Sequence, residues 1–473
     1  MPIKRVWAPR IDFSVIRREL GLPDAFSPSA QQEAEQAAAT SPPNAADRTD
    51  IPFVTIDPAT SQDLDQAMHL SRRNGGGYRI HYAIADVASF VRPGGPLDAE
   101  TWVRGQTVYL PDGRVPLHPP VLSEGAASLF PDVDRPAVLW TIDLDADGST
   151  TAVAVARAWV RSRAKLDYAG VQAAVDAGRP PEPVALLPEV GGLLARRAAV
   201  RGAVDLPLPE QEVEPDGDGW RLVLRAPLPI EEHNAKISLL TGMAAADLML
   251  RGGIGLLRTM PAPRPEAIAK LRAAAASLGV PWPDGVPVGD VVGTVDPGSS
   301  RGAAFLDQAA DLLRGAAYTA FEKDPPAEAG HGGVGAPYAH VTAPLRRLAD
   351  RYATEVCLAL HDGRPVPDWA REALPKLPKA MLDTDRVASA AGRGAISLAE
   401  AVLLESRVGE RFDVGVLDVD DGQGERKPPG GTVALDDPAV RAHCLGVLPL
   451  GERIQVRLTV ADPKTRNVQF EHP

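Results

Sequence analysis

Cysteine is nearly absent: the 473 residues hold two, Cys357 and Cys444. They lie far apart and neither has a Cys-x-x-Cys partner, which excludes a cysteine-built zinc site and argues against a disulfide framework. Long apolar runs are missing too. The most apolar stretch, Ile237 to Leu250, is interrupted by Asp247 and is too short to span a bilayer. The opening residues, MPIKRVWAPR, carry no apolar core of a secretory signal. Positive charge is scarce, with 50 Lys and Arg against 62 Asp and Glu, a net charge of -12. A protein that only coats nucleic acid is normally basic. An enzyme that holds metal ions on carboxylates is freer, because the cation supplies positive charge where it is needed. The expectation is a cytoplasmic protein with no membrane partner.

Length suggests two to four domains. The 44% apolar and 24% charged fractions are ordinary for a chain that buries a sizeable core. Residues 11 to 22 read as a short amphipathic helix stopped by Gly21 and Pro23, and QQEAEQAAA reads as a second. They form either a helix-turn-helix-like unit or an arm packed on the main body. SPPNAADRTD, at 41 to 50, reads as a linker. Strand patterns follow in IPFVTID, YRIHYAIADV, TVYL and a hairpin around Asp147-Gly148. Helical runs occupy about 186 to 202, 232 to 258 and 264 to 278. The run from Asn234 to Leu250, apolar nearly all round, predicts a buried central helix. From about Val408 short strands return, and five of them in some 65 residues suggest an OB-type barrel. The fold class is therefore α+β, without regular βαβ alternation.

The sharpest motif is FVTIDPATSQDLDQAMHL, residues 53 to 70. A strand delivers Asp57, and Asp63 and Asp65 follow at i and i+2, so their carboxylates point to one side. Three acids held this closely repel one another without a cation, and Mg²⁺ prefers such oxygen ligands. Mn²⁺ is a possible substitute. A calcium loop of EF-hand type would need Gly and Glu where Gln62 and Met68 stand, so that reading fails. A solvated Asp-rich turn is the plainer alternative.

The second motif, GHGGVGAPYAHVTAPLRRLADRYATEVCLAL, spans 330 to 360. Leu348, Tyr352, Val356 and Leu360 recur every four residues and predict a helix with Pro344 near its first turn. Arg346 and Arg347 would then stand at a helix N-terminus, which disfavours cations unless an anion is met there. Phosphate suits both the guanidinium fork and free N–H groups. Asp350, four residues after Arg346, could steady that side chain. His331 and His340 lack metal-pair spacing and read as structural histidines.

Together these motifs resemble the RNB family, that of ribonuclease II and ribonuclease R. The resemblance runs from about residue 50 to 395 and rests on TIDPATSQDLDQA, YRIHYAIADVASFVRPGGPLD, RGQTVYLPDGRVPLHP, LSEGAASLFP and YAHVTAPLRRLAD, in the family's order. It implies processive, metal-dependent hydrolysis of single-stranded RNA from the 3′ end to nucleoside 5′-monophosphates. It also implies an RNB-type catalytic domain and an RNA-binding OB barrel. On this resemblance Asp57, Asp63 and Asp65 match the metal and 3′-terminal contacts. Arg346 matches the arginine at the scissile phosphate, and Arg347 stands beside it as an RNA contact. Tyr168 matches the tyrosine that packs on the terminal nucleotide. Tyr109 matches the aromatic that stacks on a base where the strand enters the channel. The family's paired N-terminal cold-shock barrels have no room in the first 48 residues of this sequence.

Three departures from the family pattern stand out. Gln66 follows Asp65 where a second aspartate is usual, Gly392 stands in an Ala-Glu-Arg motif, and Asn234 and Lys236 occupy the region of a helical glutamate. The expected division is 1–48 helical, 49–405 catalytic and 406–473 barrel. The expected chain is a monomer needing no organic cofactor, with Asp63, Asp65, Gln66 and Arg346 in the catalytic set. The alternative, motivated by Gln66 and Gly392, is a catalytically weakened RNA-binding or regulatory protein on the same scaffold.

Overall fold

The computed structural model describes residues 11–40, 45–204, 206, 210–420 and 428–473. Its heart is a six-stranded sheet made of β1 (Ala46–Asp47), β2 (Phe53–Asp57), β3 (Gln66–Arg72), β4 (Tyr78–Ala85), β5 (Asp134–Leu144) and β6 (Thr150–Asp167). β6 is long enough to do two jobs. Its first part pairs antiparallel with β5, and its last part, Ser162 to Asp167, pairs parallel with β2. The pairing therefore runs round from β2 through β3, β4 and β5 back to β6 and β2. The weakest seam is between β2 and β3, which share a single pair, Val54 with Met68. The strands splay beyond it, and the aspartate loop occupies that opening. Gly77, in the turn between β3 and β4, has φ +81°, and a Cβ there would sit 2.1 Å from the Leu144 carbonyl oxygen; only glycine fits.

Apolar side chains cover both faces of this sheet. Trp140, Tyr82, Ile80 and Ile84 pack on one side with the helix α3 (Pro229–Gly252), whose Ile237, Leu240, Ala245 and Met249 are buried. Phe53, Leu64, Ala83 and Leu139 pack on the other. The central helix is thus as expected, but it stops sooner than the run to 258. Gly253 adopts the left-handed conformation at the C-cap, and Ile254–Thr259 becomes a strand paired with Ala317–Glu322. Gly242 lets Tyr338 and Ala339 lie directly on α3: a Cβ there would meet the Tyr338 ring at 2.2 Å.

The arginine helix also begins later than its sequence suggests. α4 spans Leu348–His361, while Pro344 to Arg346 form a turn and Arg347 is extended at the N-cap. Tertiary partners account for the change. Thr107 N–H donates to the Arg346 carbonyl, Leu348 N–H donates to Gly105, and Arg347 bridges Gln106. The Asp350 carboxylate accepts from Ala343 N–H at 2.7 Å and takes Arg347, not Arg346, in a bidentate pair.

At the N-terminus α1 (Ser14–Glu19) and α2 (Pro28–Ala39) form an arm packed on the body. Phe13 meets Trp220 edge-on at 5.2 Å, and Ile16 packs with Leu110 and Ala395. Part of the expected linker, Ala46–Asp47, instead extends the sheet, and residues 41 to 44 of it lie outside the described residues. A closed five-stranded barrel ends the chain, with strands Arg411–Asp420, Gly430–Ala434, Arg441–Leu445, Asn467–Glu471 and Arg453–Asp462 in spatial order. The stretch Leu377–Arg407 is apolar and long enough by composition to cross a bilayer. Its Leu398 and Ala399 pack on the N-terminal arm and its Leu403 and Leu404 on the barrel, as in a core helix.

Candidate active site

The opening between β2 and β3 borders a cavity of about 1000 Å³ whose wall includes Asp57, Asp63, Asp65, Tyr109, Tyr168 and Arg346. Strand β2 ends on Asp57, and the loop from Pro58 to Asp65 returns the chain to β3. Lys165 holds that loop from below, donating to the carbonyls of Ala59 at 2.9 Å and Ser61 at 2.5 Å. Ser128 holds it from the side, donating to the Gln62 carbonyl and accepting from Leu64 N–H. Leu64 is fully buried between the two acids that flank it. Alternation across this buried leucine sends both Asp63 and Asp65 to the cavity side.

Each acid has its own surroundings. Asp63 accepts from the Tyr109 hydroxyl at 3.0 Å and from Arg114 at 2.7 Å. Asp65 is 4% exposed; one oxygen accepts from Leu345 N–H at 2.7 Å, and the other lies 3.6 Å from the Arg346 guanidinium. Burial pushes its carboxyl well above the usual carboxylate range, against the pull of Arg346. Asp57 keeps one buried oxygen without a partner. Burial first, and then the charge of Asp63, raise its carboxyl to about 6, opposed by Lys165 and Arg346. Tyr109 and Tyr168 are both pushed up by burial, with Asp63 the next influence on the former and Asp57 on the latter.

Arg346 also borders a second cavity of about 380 Å³ with Arg347, Arg258, Tyr318, His340 and Asp385. Arg347 lines only this second space, and its guanidinium is spent on Asp350. His340 bonds the Tyr318 hydroxyl at 2.6 Å. Gly392 lies one helical turn beyond Ala388, which lines the same cavity, and a Cβ on it would meet nothing. Asn234 donates to the Tyr168 hydroxyl at 2.9 Å, and its own oxygen is buried without a partner. Glu231 borders the aspartate cavity but pairs with Arg225 and caps Leu228 N–H. Lys165 and Arg114 were not singled out from the sequence as site residues, although Arg114 lies inside a segment that carries the family resemblance; Asn234 was named only as a departure from the family pattern.

Among the described residues, no three His, Cys, Asp or Glu side chains gather closely enough to hold a metal outright. The acids present still suit a hard cation. Asp57 keeps a buried oxygen without a partner, and its carboxyl is raised by burial first and by Asp63 second, so a divalent ion there would supply the missing partner and offset the neighbouring charge. Mg²⁺ commonly binds through one or two carboxylates and keeps several waters. Gln66 does not join them: its amide nitrogen donates to the Thr342 carbonyl and its oxygen accepts from Tyr82.

Known proteins share this fold. Residues 46–360 match the RNB domain model, and residues 410–472 match the RNase II-type exonuclease C-terminal S1 domain. Ribonuclease R of Escherichia coli (strain K12) is 30% identical over 328 residues, covering 64% of this chain and 39% of that protein. The Exosome complex exonuclease RRP44 of Homo sapiens is 27% identical over 322 residues, covering 65% and 33%. The chain thus spans well under half the length of the curated relatives it matches. In structure, it superposes on the apo form of Mycoplasma genitalium RNase R with a TM-score of 0.85 at 19% identity, covering 98% of this chain and 77% of that one. Yeast Ssd1, a pseudonuclease, follows the same fold with a TM-score of 0.70 at 17% identity, covering 96% and 57%. An RNB domain joined to an S1-type barrel, on the fold of RNase R, makes this chain a member of the RNB family of ribonuclease II and ribonuclease R.

Proposed function

We propose that the chain hydrolyses single-stranded RNA from its 3′ end, processively, to nucleoside 5′-monophosphates, with Mg²⁺ as its cofactor and Mn²⁺ as a substitute. The observation that carries this reading is the 3.6 Å approach of Arg346 to Asp65 at the wall of the aspartate cavity. Acid and guanidinium there line one space, so a phosphodiester in the cavity could meet the guanidinium while a cation joins it to the acids. Asp57 and Asp63 would hold the cation, with Asp65 beside them. When bound, the cation would supply an activated water and stabilise the leaving oxygen. Arg346 offsets the negative charge that grows on the phosphate during attack. Asp65, on the cavity wall beside Arg346, is placed to take up the proton of the attacking water. Tyr168 packs on the terminal nucleotide, and Tyr109, 50% exposed, offers a face for a base further along the strand.

The competing reading is an RNA-binding protein of low or no activity. The turned-away amide of Gln66 favours it, since one usual acid is missing. A 5′-labelled, unstructured RNA incubated with the full chain and Mg²⁺ separates the two. A ladder that shortens from the 3′ end, with release of 5′-monophosphates, is expected. Intact RNA at every Mg²⁺ and Mn²⁺ concentration, with binding retained, would overturn the nuclease reading.

A further inference from the structure

We propose that Gln66 is a positioning residue, which fastens the arginine loop to the aspartate strand and does not ligate a cation. The inference rests on the reading of Asp65 and Arg346 as partners at the reacting phosphate. Gln66 is the first residue of β3 and borders the cavity, yet both ends of its amide are taken. The nitrogen donates to the Thr342 carbonyl at 2.6 Å, and the oxygen accepts from the Tyr82 hydroxyl at 2.5 Å. Only this orientation works, because the flipped amide would set its oxygen against a carbonyl. Tyr82 has no exposed surface, so the amide oxygen is anchored to the core of the sheet.

The other end of this contact is the segment that carries Arg346. Thr342 is also tied to α3, through its hydroxyl and Ser238 at 2.8 Å. Three residues on, Leu345 N–H lies 2.7 Å from Asp65. Neighbouring side chains where the aspartate loop enters β3 therefore grip the loop at two points, Gln66 at the Thr342 carbonyl and Asp65 at the Leu345 amide. These two contacts fix the loop on the side of Thr342, while Thr107 and Gly105 hold it beyond Arg346; losing the Gln66 contact would loosen the first side and shift the direction in which Arg346 leaves the chain. A carboxylate at position 66 cannot donate to the Thr342 carbonyl. It would face one acceptor with another and add a second charge beside Asp65. A glutamate at position 66 would therefore weaken this chain's site instead of completing it.

Two variants of similar length, Gln66→Glu and Gln66→Met, test this with three measurements on the full chain. In both, hydrogen exchange at the Leu345 amide should quicken about tenfold or more, while the amides of Leu348–His361 keep their protection. The affinity of the free protein for Mn²⁺, read by electron paramagnetic resonance, should stay within about twofold in Gln66→Met, because no ligand is lost. On RNA, kcat should fall about tenfold or more while KM stays within about twofold, the signature of an arginine misaimed in the transition state. Unchanged Leu345 exchange in both variants would overturn the proposal. So would several-fold tighter Mn²⁺ binding with a raised kcat in Gln66→Glu. A parent chain that cuts no RNA would sink the nuclease reading alone, since exchange and Mn²⁺ affinity would still decide the role of Gln66.

Discussion

The two loops that face each other across the cavity are built on opposite plans. The aspartate loop is held from outside: Lys165 and Ser128 bond its main chain and leave its acids to the cavity. The arginine loop is held by partners spread along the sequence, Gly105 and Thr107 on one side, Asp65 and Gln66 on another and Asp350 beyond. In the first loop chemistry and scaffolding are separate, and an acid can change without moving the backbone. In the second they are fused, since Asp65 both faces Arg346 and positions its loop. Substitutions in the first loop should therefore change charge, while those around the second should change structure.

The largest effect is expected where both plans meet. Asp65→Asn keeps the size and the acceptor for Leu345 N–H but removes the charge beside Arg346. We expect single-turnover cleavage of RNA to fall by about 10³-fold or more, with RNA affinity nearly unchanged. Cleavage near the parent rate would show that the acid acts only through the backbone. Next comes Asp350→Ala, on the scaffolding side. It strands the largely buried Arg347 and frees Ala343 N–H, and breaking a buried pair of this kind costs about 3–5 kcal/mol. Urea unfolding should report that loss. A change below about 1 kcal/mol would mean that the arginine loop does not depend on this pair.

The same contrast explains what could be read from sequence. A β-rich FVTID that ends on an acid, followed by a leucine between two aspartates, carries its geometry locally, and Asp57, Asp63 and Asp65 do border one cavity. The barrel was legible through alternation, although its strand Arg441–Leu445 buries only small side chains, Ala442 and Cys444, and so gives a weak pattern. The arginine segment was misread as helix from Pro344, because its contacts with Gly105, Thr107 and Asp65 outweigh local propensity. The strand Ile254–Thr259 was likewise absorbed into the helix before it, its partner lying some sixty residues downstream. Arg347, paired with the arginine before it in the sequence, turns into a different cavity for the same reason. Gln66 could be named as a departure but not given a role, since Tyr82 and Thr342 become its neighbours only in the fold.

The smallest effect sharpens the comparison most, because it asks whether the aspartate loop stores unfavourable charge. The carboxyl of Asp57 is raised in the fold to about 6 from an ordinary 3.8. A group raised on folding contributes its stability below its unfolded value and loses it as pH climbs through the folded value. Without divalent cations the protein should therefore weaken between about pH 4 and pH 6, and Asp57 should cost it on the order of 2–3 kcal/mol at pH 7. Asp57→Asn, measured in chelator, should accordingly stabilise the chain at pH 7, with the gain fading toward pH 4. Added Mg²⁺ should shrink the gain by stabilising the parent alone, since a ligand that binds only the folded state raises its stability. Equal or lower stability of Asp57→Asn at pH 7 in chelator would mean that the loop carries no such strain. The division between a charge-bearing loop and a structure-bearing one would then fail at its first acid.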